Sequence, residues 1–171
     1  DDVTEGLLRK LFTAKKLKTD LNLSLPVLFS FWSDLDVLRP RSLYSQLFLN
    51  KIVITPLDPA FDLAALPGST ELLGDHAPAI CAALRIGTDD FEAILRHLNL
   101  PLDQATLSLV SLSALHRHAV LARALKLKVK EFLSLLVLSG KDAFIPTEPS
   151  STASFVEVFG VVKESGFKIS Q

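Results

Sequence analysis

The residues of this chain best suited to chemistry are its four histidines, two of which stand one residue apart in "SALHRHAVLARAL" as His116 and His118. An imidazole can ligate zinc or exchange a proton near neutral pH, so the pair invites a metal or acid–base reading. The surrounding residues decide against it. Leu112, Leu115, Ala119, Leu121, Ala122 and Leu125 fall on one broad arc of a helix over Leu109 to Leu125. At about 100° per residue, His118 lies inside that arc and His116 about 200° round, on the side of Arg123. Chelation from one helix needs i, i+4 spacing. His118 is therefore expected in a core or groove and His116 in solvent. His76 and His97 have no Cys, Asp or Glu at ligand spacing, so no metal site and no cofactor are expected.

Other constellations fail in the same way. The chain has no G-x-S-x-G, no G-x-x-x-x-G-K-[ST] and no G-x-G-x-x-G, and its 7 glycines give little backbone freedom for a phosphate cradle. Asp34 with Asp36, or Asp58 with Asp62, face no evident general acid and suit turns and caps. The basic run Lys10 to Lys18 reads as a solvated helix face, and Trp32 as core. The single Cys81 cannot form an intramolecular disulfide and reads as a small buried hydrophobe. No enzymatic activity is expected.

Composition bounds the class. With 171 residues, 49% hydrophobic and 22% charged, the chain can bury a sizeable core as one folded unit, 1–171. The 18 basic and 19 acidic residues leave a net charge of −1, no footprint for nucleic acid or an anionic membrane. No window approaches the roughly 18 apolar residues of a membrane span, and no signal-peptide hydrophobic region is present. The absence of methionine leads us to expect a soluble piece of a longer chain.

A repeat organises the sequence. "ALRIGTDDFEAIL", from Ala83, aligns without gaps on "ALKLKVKEFLSLL", from Ala124, an offset of 41 residues. The same frame catches "DLNLSLPVLFSFW", from Asp20, and "GFKISQ", from Gly166, at intervals of 63 and 42 residues. A period near 41 belongs to stacked helix–turn–helix units, each burying its apolar face on its neighbours. In each copy a helix ends, a short linker carries inward aliphatics, and a second helix starts near Ser24, Thr88, Lys128 or Ser170, Lys128 being a poor cap. Leu28, Phe31, Trp32 and Leu35 then recur as Phe91, Ile94, Leu95 and Leu98, an i, i+3, i+4, i+7 stripe. The third copy keeps Phe132, Leu135 and Leu136.

The expected fold is all-α: stacked helix–turn–helix repeats of period about 41, with an irregular insertion at about 36–74. The partner helices are Val3 to Leu17 with Leu7, Leu8, Leu11 and Phe12 inward, one N-capped by Asp75 and passing through Ile80 and Leu84, Leu109 to Leu125, and a last one in "SFVEVFGVVKES". Valines in that last segment favour a strand, but the repeat register requires a helix. The insertion holds a short helix around "SLYSQLFLN" and a proline-broken stretch with Pro56, Pro59 and Pro67, apolar enough to be an ordered loop packed across the helices.

Five runs, in order, resemble one family: "LPVLFSFWSDLDV", "SLYSQLFLNKIVITPLDPAF", "LGDHAPAICAALRIGTDDFEAIL", "LSLVSLSALHRHAVLARALKLKVKEFLSLLVLSGKDAF" and "FVEVFGVVKESGFKISQ". Together they make the chain, from Leu21 to Gln171, similar to a stretch of the A component of bacterial insecticidal Tc toxin complexes. Two departures are His116, where the family carries an aromatic residue, and Arg41, where aspartates are commoner. The resemblance implies a non-catalytic segment of the α-helical shell of a homopentameric, pore-forming, toxin-translocating subunit, secreted or surface-associated. Its partners would be neighbouring domains and protomers of that subunit, with no nucleic acid, and the membrane met only through other regions. Because shells of that family open on a pH change, His118 becomes the candidate pH-sensing residue. The other reading is a free-standing helical-repeat adaptor binding a protein or peptide, which would carry polar capping helices at both ends.

Overall fold

The computed structural model describes residues 4–38, 41–50, 52 and 56–166. Among them every regular element is helical: α1 (Glu5–Asp20), α2 (Leu25–Phe29), α3 (Leu43–Phe48), a 3-10 turn (Pro59–Phe61), α4 (Ala77–Leu84), α5 (Thr88–His97), α6 (Leu109–Ala124), α7 (Val129–Ser139) and α8 (Pro149–Glu164). The expected all-α class is what forms, and none of these helices is long and apolar enough to cross a membrane. The one β-like feature among the described residues is an isolated antiparallel bridge between Leu72 and Thr106.

Three helix–helix joints share one geometry. After α1, α4 and α6, a residue turns left-handed: Asn22 at φ +51°, Arg85 at +55° and Lys126 at +59°. The next aliphatic amide then reaches back five residues: Leu23 N–H to Lys18 O at 3.1 Å, Ile86 to Cys81 O at 3.1 Å and Leu127 to Ala122 O at 3.0 Å. This closes carbonyls that a helix end otherwise leaves unpaired. An extended residue follows, Ser24, Gly87 or Lys128, and the next helix begins. Even the burial repeats: Leu21, Leu84 and Leu125 are buried, the left-handed residue is exposed, the aliphatic is half-buried and the extended residue is exposed. These joints lie where the sequence alignment sets them, at offsets of 63 and 41 residues. The second helix starts as expected at Ser24 and Lys128. At the middle joint Gly87 is the cap and Thr88 the first helical residue. Lys128 does not cap with its side chain; Glu131 Oε2 accepts from the Lys128 N–H at 3.0 Å instead. Of the fourth copy only Gly166, left-handed at φ +72°, lies within the described residues.

The chain divides into two compact units. The first, drawn from 1–33 and 122–171, is built on α1, α2, α7 and α8, with α1 packed on α2 and α8 and α7 on α8. Leu28, Phe31, Trp32, Phe132, Leu135, Leu136 and Phe155 are buried in it. The stripe after Ser24 is buried as expected although α2 is only five residues long. Beyond Phe29 the bonds tighten to i−3, Phe31 N–H to Leu28 O and Trp32 N–H to Phe29 O, and carry the same side chains inward. Trp32 Nε1–H donates to Thr152 Oγ1 at 2.9 Å, and Thr152 donates in turn to Ala143 O at 2.6 Å. Pro149 begins α8, and its valines are accommodated in helix because Phe155, Ser151 and Thr152 are held by α7 and the 143–148 segment.

The expected inward face of α1 does not hold. Leu7, Leu8, Leu11 and Phe12 are 46, 56, 53 and 71% exposed, and α1 buries Ala14 and Leu17 instead. Periodicity establishes that residues share a face; which face is covered depends on where α2 and α8 lie, which is not written in α1.

The second unit spans Asp34–Leu121. The described part of the insertion is ordered around three wholly buried rings: Tyr44 and Phe48 lie 5.2 Å apart, and Phe48 stacks on Phe61 at 5.1 Å. The Tyr44 hydroxyl donates to Phe61 O at 2.7 Å, and α3 packs on α4. The insertion's end is tied to the segment before α6 by Leu107 N–H to Glu71 O and Leu73 N–H to Ala105 O. Gly74 allows a close approach there, since a Cβ would meet the Leu102 carbonyl at 3.0 Å and push it back. Asp75 is not the cap of α4: His76 occupies that position. Ile80 and Leu84 are buried as expected.

Thr152 serves two buried partners at once. Thr152→Val should orphan the Trp32 indole N–H and leave Ala143 O with only the longer bond from Ser151 Oγ, at a cost of about 1–3 kcal/mol, whereas Thr152→Ser, which keeps the hydroxyl, should cost clearly less in a chemical denaturation series.

Candidate functional site

Helix α6 carries the histidines and is buried on almost its whole circumference. Leu112, Leu115, Ala119, Leu121 and Ala122 are buried as the apolar arc predicts, but so are Ser111, Ser113, His116 and His118. His118, at 4% exposed, occupies the expected interior position. His116, expected in solvent, is 2% exposed. The leucines underestimate the covered arc because small polar residues also turn inward where local bonds satisfy them. Ser113 Oγ donates to Leu109 O at 2.6 Å and accepts from the Leu35 N–H at 2.9 Å. On the next turn, Arg117 lies 3.6 Å from Asp34.

His118 Nδ1 lies 2.7 Å from Ala114 O. A carbonyl only accepts, so Nδ1 carries the proton of that bond. The ring meets that of His97, at the end of α5, edge-on at 5.4 Å. Burial lowers the His97 pKa from its ordinary value. A helix C-terminus favours a cation, so desolvation outweighs the dipole here. The structure thus joins His97, which the sequence leaves isolated, to His118. Among the described residues no group of three or more His, Cys, Asp or Glu is arranged to hold a metal ion.

A second cluster escaped the sequence. His76, at the start of α4, has Nδ1 2.5 Å from Asp58 Oδ2, and Asp58 Oδ1 accepts from the Ala60 N–H at 3.0 Å to cap the 3-10 turn. Asp58 thus fills the capping role expected of it and also orients an imidazole. His76 Nε2 is buried without a hydrogen-bond partner, with Glu71 Oε2 at 3.5 Å. The three residues border a cleft of about 450 Å³ with Ser69 and Thr70. A carboxylate-oriented imidazole is the base half of a nucleophilic site. Among the described residues no hydroxyl or thiol is hydrogen-bonded to Nε2. Eighteen residues separate Asp58 from His76, so no local spacing announces the pair. Only "DPAF", an acidic cap before a proline, signals its Asp58 half.

The remaining candidates are structural. Asp62 caps the turn at Ala64 through a 2.9 Å bond, and Asp36 accepts from the Leu38 N–H at 3.0 Å. Burial, with Asp62 adding to it, drives the Tyr44 phenol pKa far above its ordinary range, so the hydroxyl is a fixed donor. Cys81, expected buried, is partly exposed; burial first and Asp90 second raise its thiol pKa and suppress the thiolate. Lys15, Lys16 and Lys18 are exposed as expected of a solvated face, while Lys10 pairs with Glu148 at 2.6 Å.

The lowered His97 pKa fixes the sign of one pH response. The fold favours the neutral ring, so the unfolded chain binds the proton more readily. The stability from this group is complete above the ordinary histidine value, about 6.5, and is lost as pH falls through it toward the lower folded value. Urea midpoints should therefore drop between about pH 7.5 and pH 5.5, above the main carboxylate range, and His97→Gln should flatten that slope; equal slopes would exclude His97 as its source.

Comparison with protein-family models, with curated proteins and with solved structures returns no match for this chain.

Proposed function

We propose that this chain is a segment of the α-helical shell of a Tc toxin A component: a non-catalytic wall of a pentameric, toxin-translocating assembly that is secreted or held at the bacterial surface. The observation that carries the reading is the recurring joint. One left-handed residue, one aliphatic amide bonded five residues back and one extended cap link α1 to α2, α4 to α5 and α6 to α7. A chain that repeats one joint builds a wall by adding units, each stabilised mainly by its neighbours. The ordered series of family-like runs, from "LPVLFSFWSDLDV" to "FVEVFGVVKESGFKISQ", is what supports the choice of family.

The exposed face of α1 favours this over a free-standing adaptor. A solvent-facing helix of an independent solenoid presents a polar outer face, whereas α1 exposes Leu7, Leu8, Leu11 and Phe12. In a shell such a face is covered within the assembly. Burial of His118 and its ring contact with His97 support proposing it as the group that answers the pH change opening shells of this family.

Sequencing the reading frame on either side of this stretch tests the assignment, followed by negative-stain microscopy of the whole product. A frame several times longer, with a membrane-inserting region downstream and five-fold particles, is the expected result. A stop codon directly after Gln171 and a start codon directly before Asp1 would refute it. In the assembled particle, His118→Phe should move the pH of opening; an unmoved transition would remove His118 from the mechanism.

A further inference from the structure

We infer that His76 Nε2 and the Glu71 carboxylate hold a divalent transition-metal ion, zinc foremost, with Asp58 as the outer carboxylate that positions the imidazole. The inference does not rest on the shell assignment, since it uses only side chains of the insertion and of the start of α4.

The imidazole is short of one partner. His76 Nδ1 lies 2.5 Å from Asp58 Oδ2, and a carboxylate only accepts, so the proton of the neutral ring sits on Nδ1. Nε2 then carries a lone pair, and it is buried with no hydrogen-bond partner among the described residues. Glu71 Oε2, another acceptor, lies 3.5 Å from it. A proton between the two atoms would draw them to about 2.7–2.9 Å, the length of a charge-assisted bond. Two ligands of one zinc ion, each bonded at about 2.0–2.1 Å in a tetrahedral arrangement, stand about 3.3 Å apart. The observed spacing is nearer the second. Charge agrees with it, because neither Asp58 nor Glu71 pairs with a lysine or arginine among the described residues.

The surroundings hold the ligands in place. Phe61, wholly buried, meets the His76 ring edge-on at 5.7 Å. Asp58 is fixed by the bond from the Ala60 N–H. The Glu71 backbone is bonded twice, its N–H to Ser69 Oγ at 3.2 Å and its carbonyl from the Leu107 N–H at 2.7 Å. The Glu71 side chain, 57% exposed, is left free to swing and admit an ion from the cleft of about 450 Å³ that it borders with Ser69 and Thr70. A carboxylate on the far ring nitrogen is the usual companion of a metal-ligating histidine, since it fixes the tautomer and makes the ligating nitrogen more basic. Asp58, committed to Nδ1, leaves two protein ligands, in keeping with the lack of any three-residue set among the described residues. Water or an added ligand in the cleft completes the coordination. An imidazole nitrogen beside a carboxylate oxygen suits zinc and its neighbours, whereas magnesium and calcium take oxygen sets. Bound there, the ion clips the end of the insertion to the start of α4.

The test is a calorimetric titration of zinc into the 171-residue chain, with an NMR series on ¹⁵N-histidine-labelled protein. A single site is expected: the His76 Nε2 resonance should move while the rings of His97, His116 and His118 stay, and magnesium should neither bind nor compete. Glu71→Gln, at an exposed position that leaves the fold intact, should weaken zinc binding at least about tenfold. Asp58→Asn keeps an oxygen for the Ala60 N–H, but its amide donates to Nδ1 and sends the ring proton to Nε2, so binding should fall about 10–100-fold. His76→Gln should abolish it, with circular dichroism checking that each variant is folded. No binding to the wild type, zinc that moves His97 or His118 in place of His76, or a Glu71→Gln variant of wild-type affinity would each overturn the site. The reading-frame experiment is indifferent to all of these outcomes.

Discussion

The hydrogen bond on which this architecture depends is a backbone bond spanning five residues. A helix that stops leaves its last carbonyls unpaired, and near a core that is costly unless something else donates. Here the donor is an aliphatic amide just past a left-handed residue, in Leu23, Ile86 and Leu127. The left-handed residue reverses the chain, the bond fixes the angle of reversal, and the half-buried aliphatic ties the joint to the hydrophobic interior. The same bond, Leu100 N–H to Leu95 O after left-handed Asn99, closes α5, but Pro101 follows and no helix resumes. The turn alone is thus a common helix stop. What makes a joint is the extended residue after it, with a helix-competent sequence beyond.

Buried polar groups then determine which pieces of irregular chain are held. Thr152 bridges Trp32 and the Ala143 carbonyl, Ser113 links α6 to Leu35, Tyr44 is pinned to Phe61, and Asp58 joins the 3-10 turn to His76. Each joins a side chain to a segment outside the α-helices. The apolar side chains supply most of the driving force, but they are indifferent to small shifts. A buried donor with one acceptor is not, and removing the partner costs its full desolvation. Such bonds give the insertion one conformation around its three rings.

No arrangement among the described residues assembles a nucleophile with its base. The closest approach is His76, oriented by Asp58, with its second nitrogen facing Glu71 at 3.5 Å and no hydroxyl hydrogen-bonded to it. Both histidines of α6 are buried, and burial lowers the pKa of His97, whose ring meets that of His118. The surface is where this chain is unusual, with a leucine–phenylalanine stripe on α1 left open.

Much of the fold is legible in the order of residues. Periodicity in α5, α6 and α7 reports which residues lie together, and the alignment of three turns reports where the chain reverses, because both depend on bonds between near neighbours. The helical state of α8 was also legible, through the register against its valines. Other features were not. That Leu7, Leu8, Leu11 and Phe12 stay open while His116 is covered, that His97 meets His118, and that Asp58 meets His76 are decided by which elements pack side by side. Those contacts join residues far apart in the chain, whose positions relative to one another carry no periodic signal. The sequence by itself determined the helices, the joints between them and the composition of each face; the tertiary structure alone decided which faces are buried and which polar groups meet. Local geometry is set by bonds spanning at most five residues, whereas burial is set by the summed packing of the whole unit.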